Sequence, residues 1–159
     1  MSIVLRRWDE TDAEWYVEAI ADEAIQRFTN EGAVSVDDMR AAIARLRDRD
    51  GVFAIADAAT AAPIGNIGWV RSENDRARAE GYYWVDAAAR GRGVAVAALG
   101  QLWELARREG IESLRLTIDA DNVASRRAAA RAGYVPTGDG EPRVYDDVRH
   151  DTVVYARDS

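Results

Sequence analysis

The chain has 159 residues, 48% of them hydrophobic, a formal net charge of −7 and no cysteine. That length suits one domain with its own core, the acidic balance disfavours a general binder of nucleic acid or anionic membrane, and the missing thiol excludes disulfides, cysteine nucleophiles and thiolate metal sites. All 21 Lys+Arg positions are arginine, which removes a phosphate-loop lysine and Schiff-base chemistry, and the single histidine, His150, cannot build a histidine-rich zinc site, so no metal is expected.

Residues 3–8 alternate weakly and predict a first strand. Thr11-Asp12-Ala13-Glu14 has the form of a capping box and predicts a helix from there to about Arg27. Ser35-Val36-Asp37-Asp38 opens a second helix, with Met39, Ile43 and Leu46 on one face, and Asp50-Gly51 ends it. Residues 52–56 and 63–70 read as a hairpin around the turn 57–62. The charged stretch 72–78 reads as another hairpin turn leading into a strand over 80–86. A long helix follows from about Gly93 to Arg108 and ends near Gly110. Leu114, Leu116 and Ile118 share one face of a strand over 112–118. Residues 122–132 form an alanine-rich helix closed by Gly133. Tyr134-Val135 starts another strand, and residues 144–155 hold the last strand or strands, interrupted near Asp147. The order β-α-α-β-β-β-α-β-α-β-β describes a mixed α/β domain around one sheet. With no repeat or linker, residues 1–159 are expected to form a single domain. No apolar run reaches the length of a membrane span, and residues 1–7 lack the apolar core of a signal peptide, so a cytoplasmic location is expected.

The most informative segment is Arg90-Gly91-Arg92-Gly93-Val94-Ala95. It stands between the strand Gly81-Tyr82-Tyr83-Trp84-Val85-Asp86 and the long helix. Glycines let the backbone approach a ligand, and the first N–H groups of a helix point at an anion with the dipole behind them. Arg90 and Arg92 add forked donors suited to phosphate oxygens. The alternative is a solvated arginine–glycine turn that only caps a helix.

A second segment, Ile118-Asp119-Ala120-Asp121-Asn122-Val123-Ala124-Ser125-Arg126, ends downstream in Ala132-Gly133-Tyr134. The two together resemble the GCN5-related N-acetyltransferase (GNAT) superfamily. Arg90, Gly93 and Ala95 fit its arginine-or-glutamine, x, x, glycine, x, glycine-or-alanine loop, and Asn122 and Gly133-Tyr134 fit its next strand–helix unit. Arg-Gly-Arg-Gly at 90–93, the Asn-x-x-Ser-x-Arg pattern from Asn122, Gly65-Asn66-Ile67-Gly68, Ile25-Gln26-Arg27-Phe28-Thr29 and His150-Asp151 resemble its ribosomal-protein N-terminal (Rim-type) acetyltransferase branch. The resemblance runs in order along nearly the whole chain.

The resemblance implies a central, mostly antiparallel, splayed sheet flanked by about four helices. It implies an acetyl-CoA-dependent N-acetyltransferase in which a primary amine, of a protein N-terminus or a small molecule, attacks the thioester directly in a ternary complex. Dimers are common in such a family. Val85, Asp86 and Ala87 would offer backbone groups to the pantetheine arm, or else simply pair with a neighbouring strand. Arg90, Gly91, Arg92, Gly93, Val94 and Ala95 would hold the pyrophosphate. Asn122 would contact the cofactor arm, and it also suits a helix N-cap.

Many members carry a tyrosine seven residues after the asparagine as the acid that protonates the leaving thiolate. Here that residue is Ala129. By resemblance to the Rim-type branch Ser125 takes the role, although a helix hydroxyl is often only solvated or back-bonded. Tyr134 is a fallback acid or a core aromatic. Glu80 matches a carboxylate that could act as general base or be a surface charge, with Asp86 and His150 as weaker candidates. Trp8, Trp69, Tyr83 and Trp84 could line an acceptor cleft or fill the core, and Arg27-Phe28-Thr29 could shape its mouth. The rival readings are a non-catalytic CoA-binding sensor, which Ala129 keeps open, an enzyme using another acyl-CoA, and a toxin acetylating aminoacyl-tRNA, which the negative charge and missing lysine disfavour.

Overall fold

A computed structural model describes residues 1–159. The chain clusters into two compact units, Met1–Gly68 with Tyr83–Val94, and Trp69–Tyr82 with Ala95–Ser159.

In the first unit, β1 (Ile3–Arg6) pairs antiparallel with β2 (Val52–Asp57), and β2 pairs antiparallel with β3 (Pro63–Arg71). Three helices separate β1 from β2: α1 (Ala13–Ala19), α2 (Glu23–Phe28) and α3 (Val36–Leu46). The single helix expected from Thr11 to Arg27 is therefore two helices. Its capping box also starts earlier, on a short 3-10 turn: Asp9 accepts the Thr11 N–H, and the Asp12 carboxylate accepts the Asp9 N–H at 2.9 Å. Asp22 makes the break. Its backbone is extended (φ −62°, ψ 130°), and its carboxylate accepts the Ile25 N–H, so it caps a new helix instead of continuing the old one. Ser35 caps α3 as expected, through the Asp38 N–H. Trp8, Ala13, Tyr16, Ile20, Ile25, Ile43, Ala54 and Trp84 form one buried cluster that joins these helices to the strands.

The second unit is built on α4 (Val94–Arg108), which follows β4 (Arg78–Val85). Val94, Ala98, Leu99, Leu102, Trp103 and Ala106 are its buried residues, at the spacing of one helical face. β5 (Ser113–Asp119) buries Leu114, Leu116 and Ile118, the alternation the sequence carries. α5 (Val123–Arg131) leads through Gly133, at φ +89°, to β6 (Val135–Asp139). A two-stranded hairpin, β7 (Arg143–Tyr145) and β8 (Val148–His150), turns on Asp146 and Asp147, both left-handed as a two-residue turn requires. β9 (Thr152–Asp158) returns antiparallel to both β5 and β6.

The fold class is thus α/β, with five helices and a mixed sheet in the order β1-β2-β3-β4-β5-β9-β6. Its parallel pair is β4 with β5. That ladder runs from Arg78–Ser113 to Gly81–Leu116 and goes no further, although β4 continues to Val85 and β5 to Asp119. The fifth helix comes from the break at Asp22.

Candidate active site

β4 ends at Val85, and the chain passes through a 3-10 turn, Ala87–Ala89, to Arg90. Gly91 (φ +76°) and Gly93 (φ +74°) then adopt the left-handed conformation before α4 begins at Val94. A Cβ added to either glycine would meet nothing within 4 Å. Backbone conformation, not crowding, therefore demands these glycines, and the space before them is open. The first N–H groups of α4 have no partner one turn back, the 15-residue helix gives a developed dipole, and no acidic residue lies in its first turn. The segment can hold an anion of phosphate type.

Arg90 does not simply face that space. Its Nη2 donates to Asp22 Oδ2 at 2.7 Å, tying the loop to the start of α2. The Arg90 hydrogen bond, aided by the Ile25 N–H, holds the Asp22 carboxyl below its ordinary range. Arg92, between the two glycines, is exposed.

The backbone at the end of β4 is sorted by direction. The Asp86 N–H donates to the Ile64 carbonyl on β3 at 2.9 Å, and the Asp86 carbonyl accepts the Ala89 N–H. Strand backbone groups alternate from edge to edge, so those of Val85 and Tyr83 are turned away from β3. Of the three residues expected to serve a ligand by their backbones, Val85 lies in the strand, while Asp86 and Ala87 lie past it: the Asp86 N–H is taken by β3, and the carbonyls of both accept N–H groups of the turn.

Behind β4, aromatic rings are stacked. Trp15 lies between Trp8 at 6.3 Å and Trp84 at 5.9 Å, and Tyr16 meets Trp8 and Trp84 edge-on at 5.1 and 5.3 Å. Trp8 and Trp84 are buried, whereas Trp15 is half-buried. Glu31 joins this cluster, accepting from Tyr16 Oη and Trp84 Nε1. Sequence reasoning missed Glu31. It lies in irregular chain between α2 and α3, where no periodicity or motif marks it.

In the other unit, Asn122 caps α5, its Oδ1 accepting the Ser125 N–H at 3.2 Å, so these two candidates share the first turn. Arg126 steadies that turn by donating to the Ala120 carbonyl and to Tyr155 Oη. Ala129 is fully buried, so the position where many relatives of this kind carry a tyrosine faces the core. Tyr134 is also core: it is 2% exposed, it donates to the Leu99 carbonyl at 3.2 Å, and burial pushes its phenol well above the ordinary value. Handing over its proton would leave a buried phenolate. Glu80 is exposed on β4, where it accepts from Thr117 Oγ1 at 2.7 Å. His150 lies on the β7–β8 hairpin opposite Arg143, and Ala95 is the second residue of α4.

The family model for the acetyltransferase (GNAT) domain matches residues 2–135, which include parts of both units. The chain belongs to this family. As a GNAT acetyltransferase it is an acyl-transferring enzyme, and solved structures agree on its fold. An acetyltransferase of the GNAT family from Bacillus anthracis is 16% identical at a TM-score of 0.86, over 99% of this chain and 95% of that one. RimL, a ribosomal L7/L12 alpha-N-protein acetyltransferase in complex with coenzyme A, is 21% identical at 0.83, over 99% and 94%. Mycobacterium smegmatis RimJ in complex with CoA-disulfide is 19% identical at 0.86, over 99% and 82%. No curated protein sequence matches the chain.

Proposed function

We propose that this GNAT protein is an acetyl-CoA-dependent N-acetyltransferase of the Rim-type branch, working in the cytoplasm as one catalytic domain, residues 1–159. Its acceptor is a primary amine, of a protein N-terminus or a small molecule. One observation carries the reading: two left-handed glycines facing open space at the N-terminus of α4, in the loop that follows β4. The N–H groups at residues 91–95, with Arg92, take the pyrophosphate. The backbone of Tyr83 and Val85 takes the amide-rich arm, and the Val85 N–H polarises the thioester carbonyl. Asn122 adds a contact to the arm while capping α5. Arg90 acts through Asp22, holding the loop in place.

In the reaction, Glu80 accepts a proton from the acceptor ammonium. The neutral nitrogen attacks the thioester carbon, a C–N bond forms and the C–S bond breaks. Ser125 gives its hydroxyl proton to the leaving sulfur and regains one from the nitrogen through solvent. Proximity in the ternary complex supplies much of the rate. The half-buried Ser125, fixed by its capped N–H, supports this role. Ser125→Ala is expected to lower turnover about a hundredfold, the scale of general acid catalysis, with acetyl-CoA affinity unchanged. Equal turnover in a thiol-release assay removes Ser125 from the mechanism.

The buried Ala129 favours one other reading, a CoA-binding sensor without catalysis. Calorimetric titration with acetyl-CoA, followed by thiol release against pooled N-terminal peptides, polyamines, amino acids and aminoglycosides, separates the two. Binding with turnover is the expected result. Binding without turnover on any amine selects the sensor, and no binding overturns both.

A further inference from the structure

We propose that Glu31, hydrogen-bonded to the Tyr16 hydroxyl and the Trp84 indole, is the subsite that binds the acceptor's ammonium group. The inference rests on the acetyltransferase reading above and names the residue that selects a cationic acceptor. The Thr29 hydroxyl donates to the Ile25 carbonyl at the end of α2, and the Glu31 N–H donates to that same hydroxyl at 3.1 Å. The backbone at Glu31 is therefore fixed by α2 and not left to a free loop. α2 is in turn fastened to the β4 end and its loop at two places: Asp22 at its start grips Arg90, and Glu31 beyond its end grips Trp84. The segment from Asp22 to Glu31 thus follows the stretch from Trp84 to Arg90. That stretch includes Val85, where the thioester carbonyl is placed by the proposal above.

The partners of Glu31 set it apart chemically. Asp12, Asp22 and Asp119 each pair with an arginine, Arg6, Arg90 and Arg143, at 2.7 to 3.0 Å. Glu31 is half-buried, yet the two side-chain hydrogen bonds it accepts come from neutral donors, the Tyr16 hydroxyl and the Trp84 indole. Both reach the same oxygen, Oε1. Oε2 takes neither of these hydrogen bonds, which leaves it for another donor. A half-buried carboxylate of this kind suits an alkylammonium, whose N–H groups meet Oε2 in a charge-assisted hydrogen bond. Behind Tyr16, the Asn66 amide donates to Tyr16 Oη at 3.4 Å. Tyr16 and Trp84 also lock the rotamer of Glu31, so little side-chain entropy is lost on binding.

The test uses the whole chain saturated with acetyl-CoA, with butylammonium chloride and 1-butanol as isosteric probes and tryptophan fluorescence as the readout. Glu31→Gln keeps an Oε1 acceptor for Tyr16 and Trp84, so its thermal midpoint should stay close to that of the parent protein. The expected result is saturable binding of butylammonium by the parent protein, little response to butanol, and at least about a tenfold weaker ammonium response in Glu31→Gln, the loss of one charge-assisted contact. In turnover the variant should raise KM for the amine far more than it lowers kcat. The proposal is overturned if the parent protein binds butanol as well as butylammonium, or binds neither, or if Glu31→Gln leaves the ammonium response unchanged. The ammonium-to-alcohol contrast in the parent protein decides the matter even if the variant folds poorly. Acetyl-CoA affinity, titrated separately on both proteins, reports on the parent reading and should not move with Glu31.

Discussion

Gly93→Asp is expected to abolish acetyl-CoA binding while leaving a folded protein. The two effects separate because the substitution costs folding little and binding much. For folding, the added Cβ meets nothing within 4 Å, and the residue is exposed. The left-handed backbone at φ +74° costs about 1 kcal/mol for a residue other than glycine, and aspartate is among those that tolerate it best. A carboxylate just before α4 also suits the positive end of the helix dipole and offsets part of that cost. For binding, the same carboxylate stands where the pyrophosphate is placed. Two like charges at ~5 Å with an effective dielectric of ~20 repel by about 3 kcal/mol, a loss of a hundredfold or more. The dipole that attracts the phosphate is also partly neutralised. Calorimetric titration should show no measurable heat of binding beside an unchanged circular dichroism spectrum. An unchanged affinity would sink the assignment of the loop.

The features that sequence conveyed well are local ones. The loop at 90–95 could be seen because two glycines at fixed spacing, a preceding strand and a following apolar face all lie within one stretch of chain. Asn122 could be seen because an N-cap acts on its own first turn, and the Ser125 N–H is three residues away. Leu114, Leu116 and Ile118 declared their strand by alternation alone. What stayed hidden depends on partners distant in the chain. Nothing near Asp22 announces that Arg90, 68 residues away, will hold it, so the stretch from Thr11 to about Arg27 read as one helix. Glu31 is similar. Its partner Trp84 is 53 residues on, and its neighbours Asn30 and Gly32 mark only a loop. The directions of the backbone groups at Val85 and Asp86 follow from β3 pairing with β4, which no single strand's sequence specifies. Tyr134 was ambiguous between acid and core because both roles suit a tyrosine after a glycine. Its burial and its bond to the Leu99 carbonyl decide for the core.

Gly65→Ala is expected to be the most damaging single methyl group that can be added to the strands beside the loop. Gly65 is on β3, and its φ is not left-handed, so conformational freedom does not explain it. Space does. A Cβ there would lie 2.6 Å from the Trp84 carbonyl oxygen, 2.9 Å from Ile55 Cδ1 and 3.4 Å from Val85 Cα. The first obstacle is backbone and cannot rotate away. The second belongs to a side chain that is fully buried in the packing between β2 and β3. Relief requires β3 and β4 to separate, and overpacking of this kind costs about 1–3 kcal/mol, which lowers the melting midpoint of a chain this size by roughly 2–12 °C. Gly100→Ala is the matched control. It also adds one methyl, but on α4 with nothing within 4 Å, where alanine should raise stability by up to about 1 kcal/mol. The loss at Gly65 should reach function as well as stability. The atoms pushed are the Trp84 carbonyl and Val85 Cα, so the displaced strand is the one that carries both the indole donor to Glu31 and the N–H proposed to polarise the thioester. Below its lowered midpoint the variant should therefore turn over more slowly, with pyrophosphate-loop affinity largely retained, because residues 91–95 are not touched. A variant as stable and as active as the parent would mean that β3 does not press against β4 at Gly65, and the geometry assigned to Val85 would fall with it.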